Sequence, residues 1–224
     1  MTERNPISPT PWDTSAFGIP TYEITSLTPA TLADATRTPG HYTAKVDPLS
    51  STQLLHEHGF YYCDTLIEPY CTPERLIFHE KSGIALSREV PLPEVMAIAH
   101  GAFVFGRFHR DFNLEKQSAD LRYDNWLRQL HGSGSVIAAR YGGKSVAFFA
   151  VSDGKLVLHA VSRKLRGAGL AKYLWSAVCS QLFQEGQQEL TSSISAANLP
   201  VLNLYASLGF GFRNATDVYH LLVR

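Results

Sequence analysis

The segment Arg166-Gly167-Ala168-Gly169-Leu170-Ala171 stands between an apolar run, residues 155–161, and a long amphipathic stretch. Glycines there let backbone N–H groups come close to an anion, and the start of a helix adds partial positive charge. Arg163, Lys164 and Arg166 place formal charge beside them. The chemistry on offer is a cradle for a pyrophosphate. No Gly-Lys-Ser/Thr follows, so it is not the triphosphatase loop, and the second G-x-x-G of the dinucleotide fingerprint is missing. The plain alternative is a glycine-rich strand-to-helix turn with solvated cations.

A second group lies downstream, in Asn198-Leu199-Pro200-Val201-Leu202-Asn203-Leu204-Tyr205-Ala206-Ser207-Leu208-Gly209-Phe210. With both segments in view, the sequence resembles the GNAT superfamily of N-acetyltransferases. Residues 166–171 match that family's Arg/Gln-x-x-Gly-x-Gly/Ala motif for acetyl-CoA. Asn198, Leu204-Tyr205 and Gly209-Phe210 match its C-terminal motif. The resemblance covers about residues 84–224. It implies that His159, Ala160 and Val161 offer backbone groups to the pantetheine arm. It also implies that amides of Gly167, Ala168, Gly169, Leu170 and Ala171 bind the pyrophosphate beside Arg166. Asn198, with Asn203, is implied on the cofactor side.

In the same resemblance Tyr205 is the general acid. A phenol with a pKa of about 10 can protonate a thiolate of similar basicity. The alternative for Tyr205 is a core aromatic on one helical face with Val201 and Leu208, and for Asn198 a plain N-cap. Where many family members carry a Glu as general base, this chain has His159. A neutral imidazole there can take the ammonium proton, or be a half-buried strand histidine. An ordered water chain can also remove that proton.

For the acceptor amine, residues 11–19 (PWDTSAFGI) resemble the opening of the dTDP-fucosamine acetyltransferases of bacterial polysaccharide synthesis. Looser likenesses are Gly59-Phe60, the Phe-x-x-x-Arg-Phe of residues 103–108, and Tyr123-x-x-Trp126. The resemblance implies a nucleotide-linked amino-deoxysugar as substrate. Arg107, His109 and Arg110 can hold a diphosphate, and Asp111 can meet a sugar hydroxyl or an ammonium. Tyr123 and Trp126 can stack on a base or sugar. The alternative is a surface loop with one structural Arg–Asp pair. A GNAT acting on a protein amine or another small amine, and a non-catalytic acyl-CoA sensor, are the rival readings.

These residues need elements to hold them. From residue 84 the pattern predicts strand, helix, helix, three meandering strands, helix, strand, helix and closing strands. Gly142-Gly143 and Asp153-Gly154 mark the meander's turns. The helices are expected over 118–131, 167–184 and 199–208, and two closing strands around Asn214-Ala215. The fold class expected is mixed α/β, the GNAT fold with a mostly antiparallel sheet, over residues 83–224. A smaller α/β lobe is expected over residues 1–82, with strands at 21–27 and 61–68 and a helix at 49–58 stopped by Gly59. Leu54, Gly59 and Phe60 faintly echo Leu204, Gly209 and Phe210.

Bulk properties narrow the field. Formal net charge is zero, with 20 basic and 20 acidic residues, which speaks against nucleic acid as partner. Three scattered cysteines make neither a disulfide framework nor a zinc site. No histidine spacing suits a metal, and none is expected. No apolar run approaches the roughly 20 residues of a membrane span, and no apolar leader opens the chain. A cytoplasmic protein, with a homodimer compatible with the family resemblance, is the expectation.

Overall fold

The computed structural model describes residues 5–224. In chain order the elements are β1 (Ile7–Pro9), α1 (Pro11–Phe17), β2 (Thr21–Ile24), α2 (Pro29–Ala35), β3 (Gly40–Val46), α3 (Gln53–Glu57), β4 (Tyr61–Cys71), β5 (Ile84–Ser87), α4 (Leu92–Ala99), α5 (Arg107–Arg110), α6 (Lys116–Gly132), β6 (Val136–Tyr141), β7 (Lys144–Ser152), β8 (Lys155–Val161), α7 (Ala171–Gln184), β9 (Leu190–Ser192), β10 (Ile194–Ser195), α8 (Leu199–Ser207) and β11 (Gly211–Val223). The chain packs as two units. Unit 1 holds residues up to Leu66, then Val104–Arg122 and Ala215–Arg224; unit 2 holds Ile67–Phe103 and Tyr123–Asn214. The expected division at residue 82 is a cut in sequence. The units are instead interleaved along the chain.

Unit 1 carries the strand order β1-β2-β3-β11. β1 and β2 are antiparallel, β2 and β3 parallel, and β11 runs antiparallel to β3 from Asp217–Val46 to Val223–Gly40. Leu32, Tyr42, Ala44, Leu55, Phe60, Tyr219 and Leu221 form its core. β3 was not expected from the sequence. Six of its seven residues are buried, so the alternation that marks a half-solvated strand is absent.

The polar centre of unit 1 is Asp111, with a fully buried side chain. Its Oδ2 accepts from His41 Nε2 at 2.9 Å and His220 Nδ1 at 2.7 Å. The Tyr61 hydroxyl reaches its Oδ1 at 3.0 Å, and the Asn113 N–H donates to Oδ1 at 2.8 Å. Burial alone would raise the carboxyl's pKa; the two imidazole donors reverse that and hold it well below the usual carboxylate range. His220 is pushed the other way: burial lowers its pKa to about 4, against the upward pull of Asp111.

Unit 2 carries the order β4-β9-β8-β7-β6-β5. β4–β9, β8–β7, β7–β6 and β6–β5 are antiparallel, and β8–β9 is parallel. Period-two alternation puts Phe149 on one face, with Leu174, Trp175, Val178 and Leu182 of α7. Its neighbour Phe148 faces the other way, onto Val95 and Ile98 of α4 and Leu127 of α6. The result is helix, sheet, helix.

Two expectations are corrected. The closing segment is one strand, Gly211–Val223, in which Asn214 adopts φ +53° without ending the pairing. The helix expected over 167–184 starts at Ala171, since Gly167 and Gly169 take φ +77° and +70°, which a right-handed helix cannot hold. The echo of residues 54–60 in 204–210 has a structural counterpart. Phe60 N donates to Leu55 O at 3.0 Å, and Phe210 N to Tyr205 O at 3.1 Å. Gly59 and Gly209 bring each helix to its end at φ +81° and +84°.

Acid should unlock unit 1 stepwise. The unfolded chain protonates His220 near pH 6.5, whereas the folded chain resists until about 4. Stability contributed by the neutral imidazole is therefore lost as pH falls through that window. Asp111, depressed in the fold, adds a second loss below the unfolded carboxylate pKa of about 3.9. The thermal midpoint should fall between pH 6.5 and 4, and His220→Gln should flatten the upper part of that fall. Asp111→Ala should cost about 3–5 kcal/mol, because buried donors lose their acceptor; denaturant titration measures it.

Candidate active site

Tyr205 is the one fully buried residue of α8. The helix starts with Pro200 in its first turn and ends where Gly209 turns left-handed. A Cβ on Gly209 would run into the Arg75 carbonyl, so the position admits only glycine. The bond from Phe210 N to Tyr205 O fixes the backbone under the phenol. Its hydroxyl meets His159 Nε2 of β8 at 2.9 Å.

His159 is half-buried on β8 opposite Phe149 of β7. Burial holds its pKa down to about 4, so at neutral pH the ring is uncharged. Burial pushes the Tyr205 phenol above its ordinary value; Ser192 and Trp175 pull against that shift. Ser192 spends its own proton on Leu156 O, at 2.7 Å. Trp175 of α7 packs edge-on against both Phe149 and His159, with centroids at 4.5 Å and 5.1 Å.

The strands under this group part. β8 pairs with β9 at Lys155–Thr191 and Leu156–Ser192 only. After that the chain continues as β10, which pairs with β4. His159, Ala160 and Val161 therefore lie on a stretch of β8 bonded to β7 alone among the described strands.

Beyond Val161 the chain turns once at Arg163–Leu165 and enters the glycine segment. Arg166 ties it back, its Nε donating to Val161 O at 3.2 Å. Gly169 at φ +70° precedes Leu170 at −77°, the alternating handedness of an anion-binding nest. A Cβ at Gly167 or Gly169 would meet nothing within 4 Å, so the loop stands open. Residues 166–169 are exposed, and Leu170 and Ala171 lead into the first turn of α7, whose N–H groups lack intrahelical acceptors. A pyrophosphate fits this surface.

Asn198 makes no side-chain cap bond, and only its carbonyl engages α8, through Val201 N and Leu202 N. Its amide is therefore not spent as an N-cap. Asn203 is exposed on α8.

The expected substrate residues are not brought together in one unit. Arg107, His109, Arg110 and Asp111 belong to unit 1, Tyr123 and Trp126 to unit 2. Asp111 is the buried hub described above, so both its oxygens are engaged within the fold. His109 is held by Asp120 at 3.0 Å, and Arg110 by the buried Asp64 at 3.0 Å. The Arg107 guanidinium lies over the Phe108 ring at 4.6 Å. Tyr123 stacks on Phe103 at 4.7 Å, and Trp126 packs on the core beneath α6. A pocket of about 480 Å³ in unit 1, lined by Phe17, Gly40, Leu114 and Val223, contains none of these residues. His41, Asp111 and His220 are the described residues whose donor atoms cluster closely enough for a metal. In this structure those nitrogens instead donate to one carboxylate oxygen. Sequence reading missed Trp175 and Ser192, which no motif marks.

Residues 102–210 match the model of the Acetyltransferase (GNAT) family. No curated protein matches the sequence. Among solved structures, the chain resembles a GCN5-related N-acetyltransferase from Sphaerobacter thermophilus, with TM-score 0.62 and 16% identity. That match covers 87% of this chain and 65% of the other, so the chain spans less than two thirds of that protein's length. A GCN5-related N-acetyltransferase from Kribbella flavida gives TM-score 0.57 at 16% identity, over 90% of this chain and 80% of that one. A tandem GNAT protein from the clavulanic acid biosynthesis pathway gives 0.56 at 12%, over 92% and 76%. At these identities the likeness is one of fold.

Gly169→Ala isolates the cradle. It should destabilise the protein by only about 1–2 kcal/mol, the cost of a left-handed alanine, yet weaken acetyl-CoA binding about tenfold by calorimetry.

Proposed function

We propose that the protein transfers an acetyl group from acetyl-CoA to an amine, with Tyr205 as general acid and a nucleotide-linked amino-deoxysugar as acceptor; the match of residues 102–210 to the GNAT acetyltransferase family supports the reaction. The observation that carries the acid role is the Tyr205 hydroxyl. It is buried at the fork where β8 leaves β9 and held at 2.9 Å by a neutral imidazole.

The pantetheine arm lies along the free edge of β8 at His159–Val161, and the pyrophosphate on the amides of Gly167–Ala171. The uncharged amine attacks the thioester carbonyl. The C–N bond forms, the C–S bond breaks, and the phenol proton goes to sulfur. Holding both reactants in line supplies much of the acceleration. His159, with a pKa near 4, is too weak a base to strip an ammonium at neutral pH. Its role is to orient the phenol, and the ammonium proton leaves through water.

The acceptor rests on the resemblance of residues 11–19, 103–108 and 123–126. Asp111 supports it only from behind, at the end of the short helix α5 that carries Arg107 and Arg110, because its carboxylate is engaged internally.

Thiol release from acetyl-CoA across a panel of amines tests both parts. Nucleotide-linked amino-deoxysugars should drive turnover and peptide amines should not; turnover on peptides alone overturns the sugar reading. Tyr205→Phe should lower kcat by about a hundredfold or more with acetyl-CoA affinity unchanged. Wild-type kcat in that variant removes Tyr205 from the mechanism.

A further inference from the structure

Trp175 is 2% exposed, and its indole nitrogen is a donor and nothing else. Among the described residues Nε1 has no hydrogen-bond partner. A buried N–H without a partner costs free energy and calls for a reason. The side chain is not loose: its ring is fixed edge-on between Phe149 and His159. His159 in turn holds the Tyr205 hydroxyl. Tyr205 is fully buried, so the phenolate left by proton donation forms where water cannot solvate it.

We propose that the Trp175 indole N–H is a reserve donor, left unbonded at rest, that receives the Tyr205 phenolate as the thiolate takes the phenol's proton. The inference rests on Tyr205 being the acid. The O–H electron pair stays on the phenolate oxygen, and Trp175 lends a hydrogen bond without giving up its proton. The phenolate takes up the proton that the acylated nitrogen releases. Trp175 is thus a positioning residue, acting on the reaction through Tyr205. The indole N–H lies near enough to the phenol to lower its pKa against the effect of burial, yet no hydrogen bond of proper geometry joins them at rest. A donor placed where charge develops strengthens only as the transition state is reached.

Trp175→Phe removes the N–H and keeps an aromatic ring. It should lower kcat by about tenfold to a hundredfold, the size of one hydrogen bond to a charged group, while KM and calorimetric Kd for acetyl-CoA hold. In a Tyr205→Phe background the same change should cost nothing further. An unchanged kcat, or an equal loss in both backgrounds, overturns the proposal. A collapse of kcat in Tyr205→Phe with none in Trp175→Phe sinks the donor role alone; wild-type kcat in Tyr205→Phe sinks the acid reading as well. Should Trp175→Phe fail to fold, ¹⁵N-tryptophan labelling answers the question. The chain has three tryptophans, and Trp12→Phe and Trp126→Phe assign the indole signals by elimination. The Trp175 signal should resonate as an indole N–H without a hydrogen bond in the resting protein; a hydrogen-bonded signal overturns the proposal.

Discussion

Strands β8 and β9 are bonded at Lys155–Thr191 and Leu156–Ser192 and then separate. The arrangement of His159 and Tyr205 depends on this short pairing. An unpaired strand edge is a template for another extended chain carrying amides. Residues 157–161 present such an edge on one side, while β7 secures the other. The fork is pinned at its base by Ser192 Oγ donating to Leu156 O. Above the pin, the rings of His159, Trp175 and Tyr205 sit edge to face. A longer β8–β9 ladder would close the edge, and a shorter one would leave Ser192 and Tyr205 unplaced.

Burial at the fork sets the charge states of the pair. It lowers His159 and raises Tyr205, so both are neutral in the resting protein. In unit 1 burial meets a different arrangement. Four donors converge on Asp111, and the carboxylate stays ionised in spite of its surroundings. One buried histidine therefore serves a hydroxyl and another a carboxylate, and the partner decides which. The amino-acid type alone does not.

How far sequence reads such a site depends on whether its parts are local. The strand 155–161, the glycine segment and the Tyr205–Gly209–Phe210 helix end are each set by neighbours a few residues away. They are where the pattern puts them, apart from the late start of α7. β3 escaped because burial on both faces erases alternation. The Asp111 hub escaped because its partners lie 70 and 109 residues distant, and no spacing rule connects them. Read as a loop of cations and one acid, residues 107–111 suggested a diphosphate site. The fold uses Asp111 as an internal anchor and pairs Arg110 with a buried Asp64. Trp175 looked like any apolar position of an amphipathic helix. Only an unpaired N–H in a packed interior distinguishes it.

The helix end that fixes Tyr205 occurs twice in the chain, and the comparison isolates what the chemistry requires. At Leu55–Phe60 and at Tyr205–Phe210 the same amide-to-carbonyl bond and the same left-handed glycine stop a helix and launch a strand. The cap is therefore a folding device, indifferent to the side chain at its first position. In unit 1 that position is Leu55, buried in an apolar core. In unit 2 it is a tyrosine whose hydroxyl meets an imidazole. A leucine would fill the space at lower cost, because a buried hydroxyl must be hydrogen-bonded to be tolerated. Unit 2 surrounds its hydroxyl with His159, Ser192 and Trp175, three polar groups that a purely structural core would omit. That outlay is consistent with a proton that has to move.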